Sequence, residues 1–211
     1  MKIKIGIDEV GRGCLAGPVT VSAVSVSQKF KKPSYLPELR DSKMMTRLQR
    51  EAWHKWMKEE GKSAGIYIAT SSVMPKTVDR INIAKAANLA AWRVLNKLLF
   101  YSEDLEAEVT LDGSLFLKSR LFQEKKIYMP QILTVRTVPK ADRKFTEVKL
   151  AAVWAKVSRD AYMRRADIKY PEFGFKTHKG YGTRAHIRAI MNEGVIVGFH
   201  RETFLGKIML N

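Results

Sequence analysis

The hydrophobic and polar positions of this 211-residue chain switch several times between a period of two and a helical period. Charged and apolar residues alternate over residues 2–8, and Val and Ala alternate with Thr and Ser over residues 18–27. A period of two is typical of strands. Shorter apolar segments at residues 65–71, 108–112 and 132–138 complete a prediction of five strands.

Helical spacing fills most of the intervals between these strands. Residues 46–62 carry apolar side chains on one side only, which predicts a surface helix. Residues 78–101 are apolar nearly all round and predict one long, buried helix. An Ala-rich helix is predicted at 146–169 and a short helix at 183–193, with a loop rich in Gly, Lys and His at 171–182 between them.

The interleaving of strands and helices predicts an α/β fold with a mixed sheet. We expect residues 1–211 to form a single domain, with a small helical C-terminal part from about residue 170. The sequence has no internal repeat, low-complexity segment or Pro/Ser linker that would divide it.

The composition is that of a globular protein with a real core, since 45% of residues are apolar and 28% are charged. Cys14, the single cysteine, excludes an intramolecular disulfide. The four histidines are widely spaced in the sequence and give no zinc-type motif: His54, His178, His186 and His200.

The formal net charge of +17 indicates a polyanionic partner, and nucleic acid is the commonest one. A membrane surface is the rival polyanion, but the sequence lacks a basic amphipathic helix with exposed bulky apolar residues. The longest uncharged stretch, residues 13–28, contains Gly, Pro and Ser, so neither a transmembrane helix nor a signal peptide is predicted. We therefore expect a cytoplasmic protein.

Acidic residues stand at the ends of the predicted strands. Asp8 and Glu9 end the first strand, Asp112 ends the fourth, and Asp142 follows the fifth. Open α/β sheets place their sites at such an edge. Carboxylates gathered there would repel one another unless divalent cations neutralised them, and hard oxygen ligands select Mg²⁺ or Mn²⁺. Two such ions about 3.5–4 Å apart would suit in-line displacement at a phosphodiester.

Simpler interpretations of these carboxylates stay open. Each Asp could cap a helix or a turn, and Asp112-Gly113 is a common turn pair. Asp8 and Glu9 are adjacent, and neighbours on a regular strand point to opposite faces. Both can serve one site only if the strand ends or bends at Glu9.

Three further segments could contact a ligand. Gly11 and Gly13 allow a close backbone approach while Arg12 offers a fork to phosphate, although a flexible turn with a solvated Arg is the alternative. Tyr181 lies between two glycines and could stack on a sugar or base, or pack on the core. The segment 41–43, Asp-Ser-Lys, could be only a helix start.

Together these segments resemble the ribonuclease HII family, in the order in which that family carries them. The resemblance covers about residues 4–204 and rests on these motifs: GIDEVGRG at 6–13, LAGPV at 15–19, DSK at 41–43, INI at 81–83, LDG at 111–113, KAD at 140–142, AKVSRD at 155–160, HKGYGT at 178–183 and HRETF at 200–204.

The resemblance implies the ribonuclease H fold, a central mixed five-stranded sheet flanked by helices. It also implies cleavage of the RNA strand of RNA/DNA hybrids and incision at single ribonucleotides embedded in duplex DNA. By the same resemblance, metal-activated water attacks the phosphorus and leaves 5′-phosphate and 3′-hydroxyl ends. The catalytic and metal-binding residues would be Asp8, Glu9, Asp112 and Asp142.

Substrate recognition is implied by the same resemblance. The segment Gly11, Arg12 and Gly13 would recognise the 2′-hydroxyl at the RNA–DNA junction, the group by which proteins distinguish RNA from DNA. Tyr181 would stack on the sugar of the next deoxynucleotide. Phosphate contacts are implied for three lysines: Lys43, Lys156 and Lys179.

Arg12, where the sibling ribonuclease HIII family has Lys, and a first strand at the N-terminus favour HII over HIII. Cys14 replaces a usual Pro beside the recognition loop, and residues 149–152 lose two serines of the family pattern. Asp112 and Asp142 are 30 positions apart, an interval longer than the usual bacterial one. We expect a monomer, and the end GKIMLN shows no clamp-binding peptide.

Other classes of function explain less of the sequence. A basic nucleic-acid-binding module without catalysis accounts for the charge but gives no reason for four carboxylates at strand ends. A structural protein would need an apolar patch or repeat that the sequence does not show. Another nuclease on the same fold is disfavoured by GRG together with KGY.

Overall fold

A five-stranded mixed sheet forms the centre of the protein, in the strand order β3-β2-β1-β4-β5. The computed structural model describes residues 2–28, 30–99, 106–117 and 132–206. β1 pairs antiparallel with β2 and parallel with β4, β2 pairs antiparallel with β3, and β4 pairs parallel with β5. The strands are β1 Lys2–Val10, β2 Val19–Ser27, β3 Ile66–Val73, β4 Glu106–Asp112 and β5 Ile132–Val138. The predicted mixed five-stranded sheet is thus confirmed.

Helices cover both faces of this sheet. They are α1 Arg47–Glu59, α2 Pro75–Ile81, α3 Ile83–Leu99, α4 Thr146–Lys169, α5 Phe175–His178, α6 Arg184–Glu193 and α7 Glu202–Leu205, with 3₁₀ turns at Ala141–Arg143 and Pro171–Phe173. Val21 and Ala23 of β2 face the core beneath α3, whereas Val24 and Val26 face the core beneath α1 and α4. The alternation follows from the two-residue period of a strand.

The single long helix predicted over residues 78–101 is wrong, because Asn82 divides it into α2 and α3. Asn82 has φ of 67° and ψ of 162°, a positive-φ conformation far from that of a helical residue, so the helix is interrupted there. Its side-chain oxygen accepts a hydrogen bond from the backbone N–H of Lys85 (3.0 Å) and so caps α3. Residues 100 and 101 lie outside the described residues.

β1 is longer than predicted and continues to Val10. Its antiparallel pairing with β2 runs as far as Val10 opposite Thr20, whereas its parallel pairing with β4 ends at Ile7 opposite Leu111. Beyond Ile7 the strand is therefore held on one side only.

A third apolar cluster connects the chain after β1 with the C-terminal helices. Leu15 and Ala16 pack there against Phe173, Phe175 and Phe199. Within the described residues no helix is long and apolar enough to cross a membrane. Of the end GKIMLN, only Gly206 is described.

Gly6 permits a close approach of α4 to β1. A Cβ atom at this position would lie 2.2 Å from the backbone carbonyl carbon of Glu147 and 2.3 Å from the backbone nitrogen of Val148. These neighbours are backbone atoms of a helix, so they cannot move aside singly. The contact fixes the distance between the central strand and the helix that packs across it.

We expect Gly6→Ala to destabilise the protein by about 3 kcal/mol, because overpacking against rigid backbone forces the helix away from the sheet. The midpoint of urea unfolding measures the effect. Gly206→Ala is the matched control, since a Cβ there meets nothing within 4 Å. Equal midpoints for the two variants would contradict this account of the contact.

Candidate active site

The ends of β1 and β4 and the turn after β5 meet at a cavity of about 250 Å³. Four carboxylates line this cavity: Asp8, Glu9, Asp112 and Asp142. The structure thus brings together all four acidic residues that the sequence singled out, at the sheet edge where they were predicted to meet.

Asp8 and Glu9 line the same cavity although they are neighbours on a strand that continues to Val10. The cavity lies beyond the point where β4 stops pairing with β1, at the end of the sheet rather than on one face. Side chains from both faces of β1 therefore reach it. The Glu9 backbone N–H also donates to Asp8 Oδ1 (2.7 Å), which joins the two residues locally.

Asp112 orients the turn that carries Asp142. Its Oδ1 accepts hydrogen bonds from the backbone N–H groups of Ala141 (2.5 Å) and Asp142 (3.4 Å). The capping interpretation of Asp112 is therefore correct for one carboxylate oxygen. Because that cap places Asp142 beside Asp112, capping here helps to build the cluster.

Burial and mutual repulsion raise the pKa values of three of these carboxyls. The pKa of Asp8 lies well above its usual range, mainly through burial and then through the charges of Glu9, Asp112 and Asp142. Burial raises the pKa of Glu9, opposed by the nearby Arg12 guanidinium. The pKa of Asp142 is raised by burial and by Asp112. Removing these groups from water while charged is costly unless a cation joins them.

The donor chemistry of the cavity fits a divalent cation. Glu9 Oε2 is buried and has no hydrogen-bond partner among the described residues. Four carboxylates supply the hard oxygen ligands that Mg²⁺ and Mn²⁺ prefer. No three His, Cys, Asp or Glu side chains within the described ranges already stand close enough together to hold an ion. The fit therefore rests on charge, burial and the unpartnered oxygen.

The Gly11–Gly13 loop forms one wall of the cavity. Gly11 has φ of 83°, and a Cβ atom there would lie 2.1 Å from Nε of Arg159. The Arg12 guanidinium contacts Glu9 Oε1 (3.4 Å) and donates to the Ser114 hydroxyl. Arg12 is thus paired with Glu9, which the alternative of a flexible turn with a solvated Arg did not predict.

Two of the three proposed phosphate lysines line the cavity. Lys43 is exposed there, and Lys156 lies 3.0 Å from Asp160 in an ion pair along α4. Lys179 does not line it; its ammonium donates to the Lys176 carbonyl, and burial lowers its pKa. Tyr181 lines the cavity with 40% of its surface exposed.

Two of the departures from the family pattern, Cys14 and residues 149–152, fall at different places. Cys14 is fully buried, and burial raises the pKa of its thiol, so it has the character of an inert core cysteine. Its backbone pairs with Tyr181 in an isolated bridge. Ala152 lines the cavity, where a serine would add a hydroxyl, whereas Lys149 lines a separate pocket of about 330 Å³.

Several residues at the site had no predicted role. Asp41 belongs to a segment that was interpreted only as a helix start or as the carrier of a phosphate-binding lysine. It accepts a hydrogen bond from the Lys43 N–H (2.9 Å) and forms an ion pair with Arg143 (3.2 Å). Arg159 and Arg201 are buried behind the glycine loop. The sequence feature that could have identified these two arginines is their position within two of the family motifs, AKVSRD and HRETF.

Three of the four histidines, although far apart in sequence, come together beneath Tyr181. The rings of His178 and His186 stack with centroids 4.4 Å apart, and Nε2 of His186 lies 3.2 Å from Nε2 of His200. Nδ1 of His186 lies 2.9 Å from the Tyr181 carbonyl oxygen. Burial lowers the pKa values of His186 and His200 to about 4, so both rings are neutral at physiological pH.

Solved structures place the architecture in a known class, the ribonuclease H-like fold. A ribonuclease HII from Archaeoglobus fulgidus, solved in complex with PCNA, superposes with a TM-score of 0.67 at 24% identity, covering 95% of this chain and 94% of that one. A ribonuclease HIII solved with Mn²⁺ gives a TM-score of 0.70 at 18% identity, covering 99% and 69%.

Sequence comparison identifies the family. The ribonuclease HII family model matches residues 5–207. Ribonuclease HII of Fusobacterium nucleatum is 36% identical over 205 residues, covering 97% of this chain and 86% of its own. That of Bacillus cytotoxicus is 34% identical over 199 residues, covering 94% and 67%. The chain belongs to the ribonuclease HII family, which makes it a hydrolase of the ribonuclease H type that cuts the RNA of RNA/DNA hybrids internally.

We expect Asp8→Asn to raise the melting temperature of the metal-free protein at pH 8 by about 2–4 °C or more. A carboxyl whose pKa is higher in the folded than in the unfolded chain destabilises the fold as the pH rises between those two values. Asparagine removes that charge. Thermal unfolding in chelator measures the change.

The same substitution should reduce the stabilisation that Mn²⁺ gives, because one ligand carboxylate is lost. Glu172→Gln, an exposed carboxylate outside the cavity, serves as the control and should change neither value. A lower melting temperature for Asp8→Asn in chelator would show that burial and repulsion of the Asp8 carboxylate do not destabilise the metal-free protein.

Proposed function

We propose that the protein incises duplex DNA on the 5′ side of a single embedded ribonucleotide, in addition to cutting RNA in hybrids. The products would carry 5′-phosphate and 3′-hydroxyl ends. The observation that carries the proposal is that four carboxylates, the glycine loop and Tyr181 line one cavity. A hydrolytic centre and a candidate ribose-recognition wall are thereby adjacent.

Two divalent ions, Mg²⁺ or Mn²⁺, would be held by Asp8, Glu9, Asp112 and Asp142. When bound, such ions activate a water molecule and stabilise charge on the attacking and leaving oxygens of the phosphodiester. Support comes from the unpartnered Glu9 oxygen and from the raised carboxyl pKa values. The related ribonuclease HIII was solved with Mn²⁺, in agreement with this choice of ion.

The chain's own residues would bind and orient the substrate. Lys43 and Lys156 lie at the cavity and would contact phosphates near the cleaved bond. Lys179, which lies outside the cavity, would contact a phosphate of the substrate farther from the cleaved bond. Tyr181 would stack on the neighbouring deoxyribose, and its exposed face is available for this. Arg12 would approach the phosphate while its bond to Glu9 holds its position.

A monomer is part of the proposal. The Archaeoglobus relative was solved in complex with PCNA.

The proposal is tested with a labelled DNA duplex that contains one ribonucleotide, beside an all-DNA duplex and a long hybrid. We expect incision 5′ to the ribonucleotide with Mg²⁺ or Mn²⁺ and none in chelator. Asp142→Asn should lower the cleavage rate at least about 100-fold, since even loss of an outer partner of a metal ligand costs 10–100-fold.

Binding of the duplex should survive in Asp142→Asn, because removing a negative charge does not weaken attraction to phosphates. Glu193→Gln, an exposed carboxylate at the end of α6, is the matched control and should cleave normally. Tight, salt-sensitive binding without any incision by the unmodified protein would instead identify a non-catalytic binding protein. Metal-dependent cutting that persists in Asp142→Asn would refute the assignment of the site.

A further inference from the structure

Arg201 is a buried cation with an unusual set of partners. Its residue is 0% exposed, and no carboxylate lies within ion-pairing distance of it in the described part of the chain. The guanidinium donates instead to backbone carbonyls: Gly11 (2.7 Å), Arg12 (2.8 Å) and Gly17 (2.9 and 3.1 Å). All three carbonyls belong to the turn between β1 and β2.

A buried charge without a counter-ion is a costly way to stabilise a turn. Packed apolar residues often serve stability as well as or better than buried charges do. A guanidinium, unlike an apolar side chain, constrains the direction of its hydrogen bonds, because its rigid planar fork fixes where each carbonyl points. The arrangement therefore points to control of peptide orientation.

Fixing a carbonyl also fixes the next N–H. In a planar trans peptide the C=O and the following N–H point in opposite directions, and the described chain has no cis peptide. With the Gly11 and Arg12 carbonyls turned toward Arg201, the N–H groups of Arg12 and Gly13 face away from it. Neither N–H donates a hydrogen bond to any described residue, and both residues line the cavity.

Arg159 completes this framework from the other side. Its guanidinium donates to the carbonyls of Ala16 (3.1 Å), Pro18 (3.0 Å) and Lys179 (2.8 Å). One side chain thus connects the turn after β1 to the loop that carries Tyr181. The two walls of the cavity cannot separate without breaking these bonds.

We propose that Arg201 is a positioning residue for ribose recognition, which aims the Arg12 and Gly13 N–H groups at the 2′-hydroxyl oxygen of the substrate. The inference rests on the proposed function. Arg201 does not touch the substrate; it acts through the orientation of two peptide groups. Its loss should therefore affect the distinction between ribose and deoxyribose more than the general affinity for DNA.

Arg201→Lys tests the proposal, because an ammonium keeps the charge but cannot hold several carbonyls in the plane of a fork. In an Asp142→Asn background, which slows cleavage, fluorescence anisotropy gives Kd values for a duplex with one ribonucleotide and for the same all-DNA duplex. We expect the ratio of the two Kd values to shrink about 10-fold with Arg201→Lys, as the loss of a substrate hydrogen bond predicts.

The all-DNA Kd should stay within about twofold, because the phosphate contacts are unchanged. Arg184→Lys, an exposed arginine at the start of α6, is the matched control and should preserve the ratio. An unchanged ratio in Arg201→Lys overturns the proposal, and so does an equal loss on both duplexes, which indicates a merely structural role. A ratio of one already with Arg201 present also overturns the proposal, and the cleavage assay on the unmodified protein then shows separately whether the proposed function has failed.

A second measurement needs no substitution at Arg201 and applies if Arg201→Lys does not fold. In ¹⁵N-labelled protein carrying Asp142→Asn, the amide resonances of Arg12 and Gly13 should shift with the ribonucleotide duplex and much less with the all-DNA duplex. Identical shifts with the two duplexes would overturn the proposal.

Discussion

The hydrogen bonding of β1 is asymmetric at its end, and the site depends on that asymmetry. The strand is paired on both sides as far as Ile7 and with β2 alone from Asp8 to Val10. Where the pairing of β4 with β1 ends, a cavity opens at the end of the sheet, and the carboxylates line it. β2 stays paired with β1 as far as Val10, directly before the glycine loop, so the acids and the loop are held by one paired strand end.

Two groups of opposite charge, Asp8 and Arg201, are buried around this end, and they do not form an ion pair with each other. Asp8 is 8% exposed and Arg201 is fully buried, yet the guanidinium spends its donors on backbone carbonyls of the intervening loop. A direct ion pair would occupy carboxylate oxygens that a divalent cation could otherwise take. The loop backbone thus takes up the donors of the buried Arg201, while the half-buried Arg12 pairs with the cluster through Glu9.

The sequence predicted what depends on local pattern. Five strands, the positions of α1, α4 and α6, and the acids at strand ends follow from periodicity and from the position of Asp8 and Asp112 relative to apolar runs, whereas the segment predicted as a loop at 171–182 contains α5. The break at Asn82 was missed because the apolar pattern continues through it and only the backbone conformation changes. The family motifs identified the site residues together. The alternating strand pattern alone, however, did not predict that Asp8 and Glu9 would reach the same site.

Long-range partners could not be predicted in the same way. Arg201 donates to Gly11, 190 positions earlier, and nothing in the residues around 201 indicates which carbonyls it meets. Asp41 meets Arg143 across 102 positions. Such contacts exist only once the sheet has brought the two ends of the chain together, and a motif reports that a residue belongs to the site without reporting what it holds.

The histidines beneath Tyr181 hold the backbone of the second cavity wall by hydrogen bonds, as Arg201 does for the glycine loop. The Ile196 N–H donates to Nδ1 of His200 (2.8 Å), which leaves the proton of that neutral ring on Nε2. That proton is donated to Nε2 of His186, whose own proton must then sit on Nδ1 and is donated to the Tyr181 carbonyl. Each nitrogen of the two rings has one role, and the chain of donors runs in a single direction. A proton added to either ring would place two donors face to face, so the arrangement that holds the Tyr181 backbone requires the neutral rings that burial, which lowers both pKa values to about 4, favours.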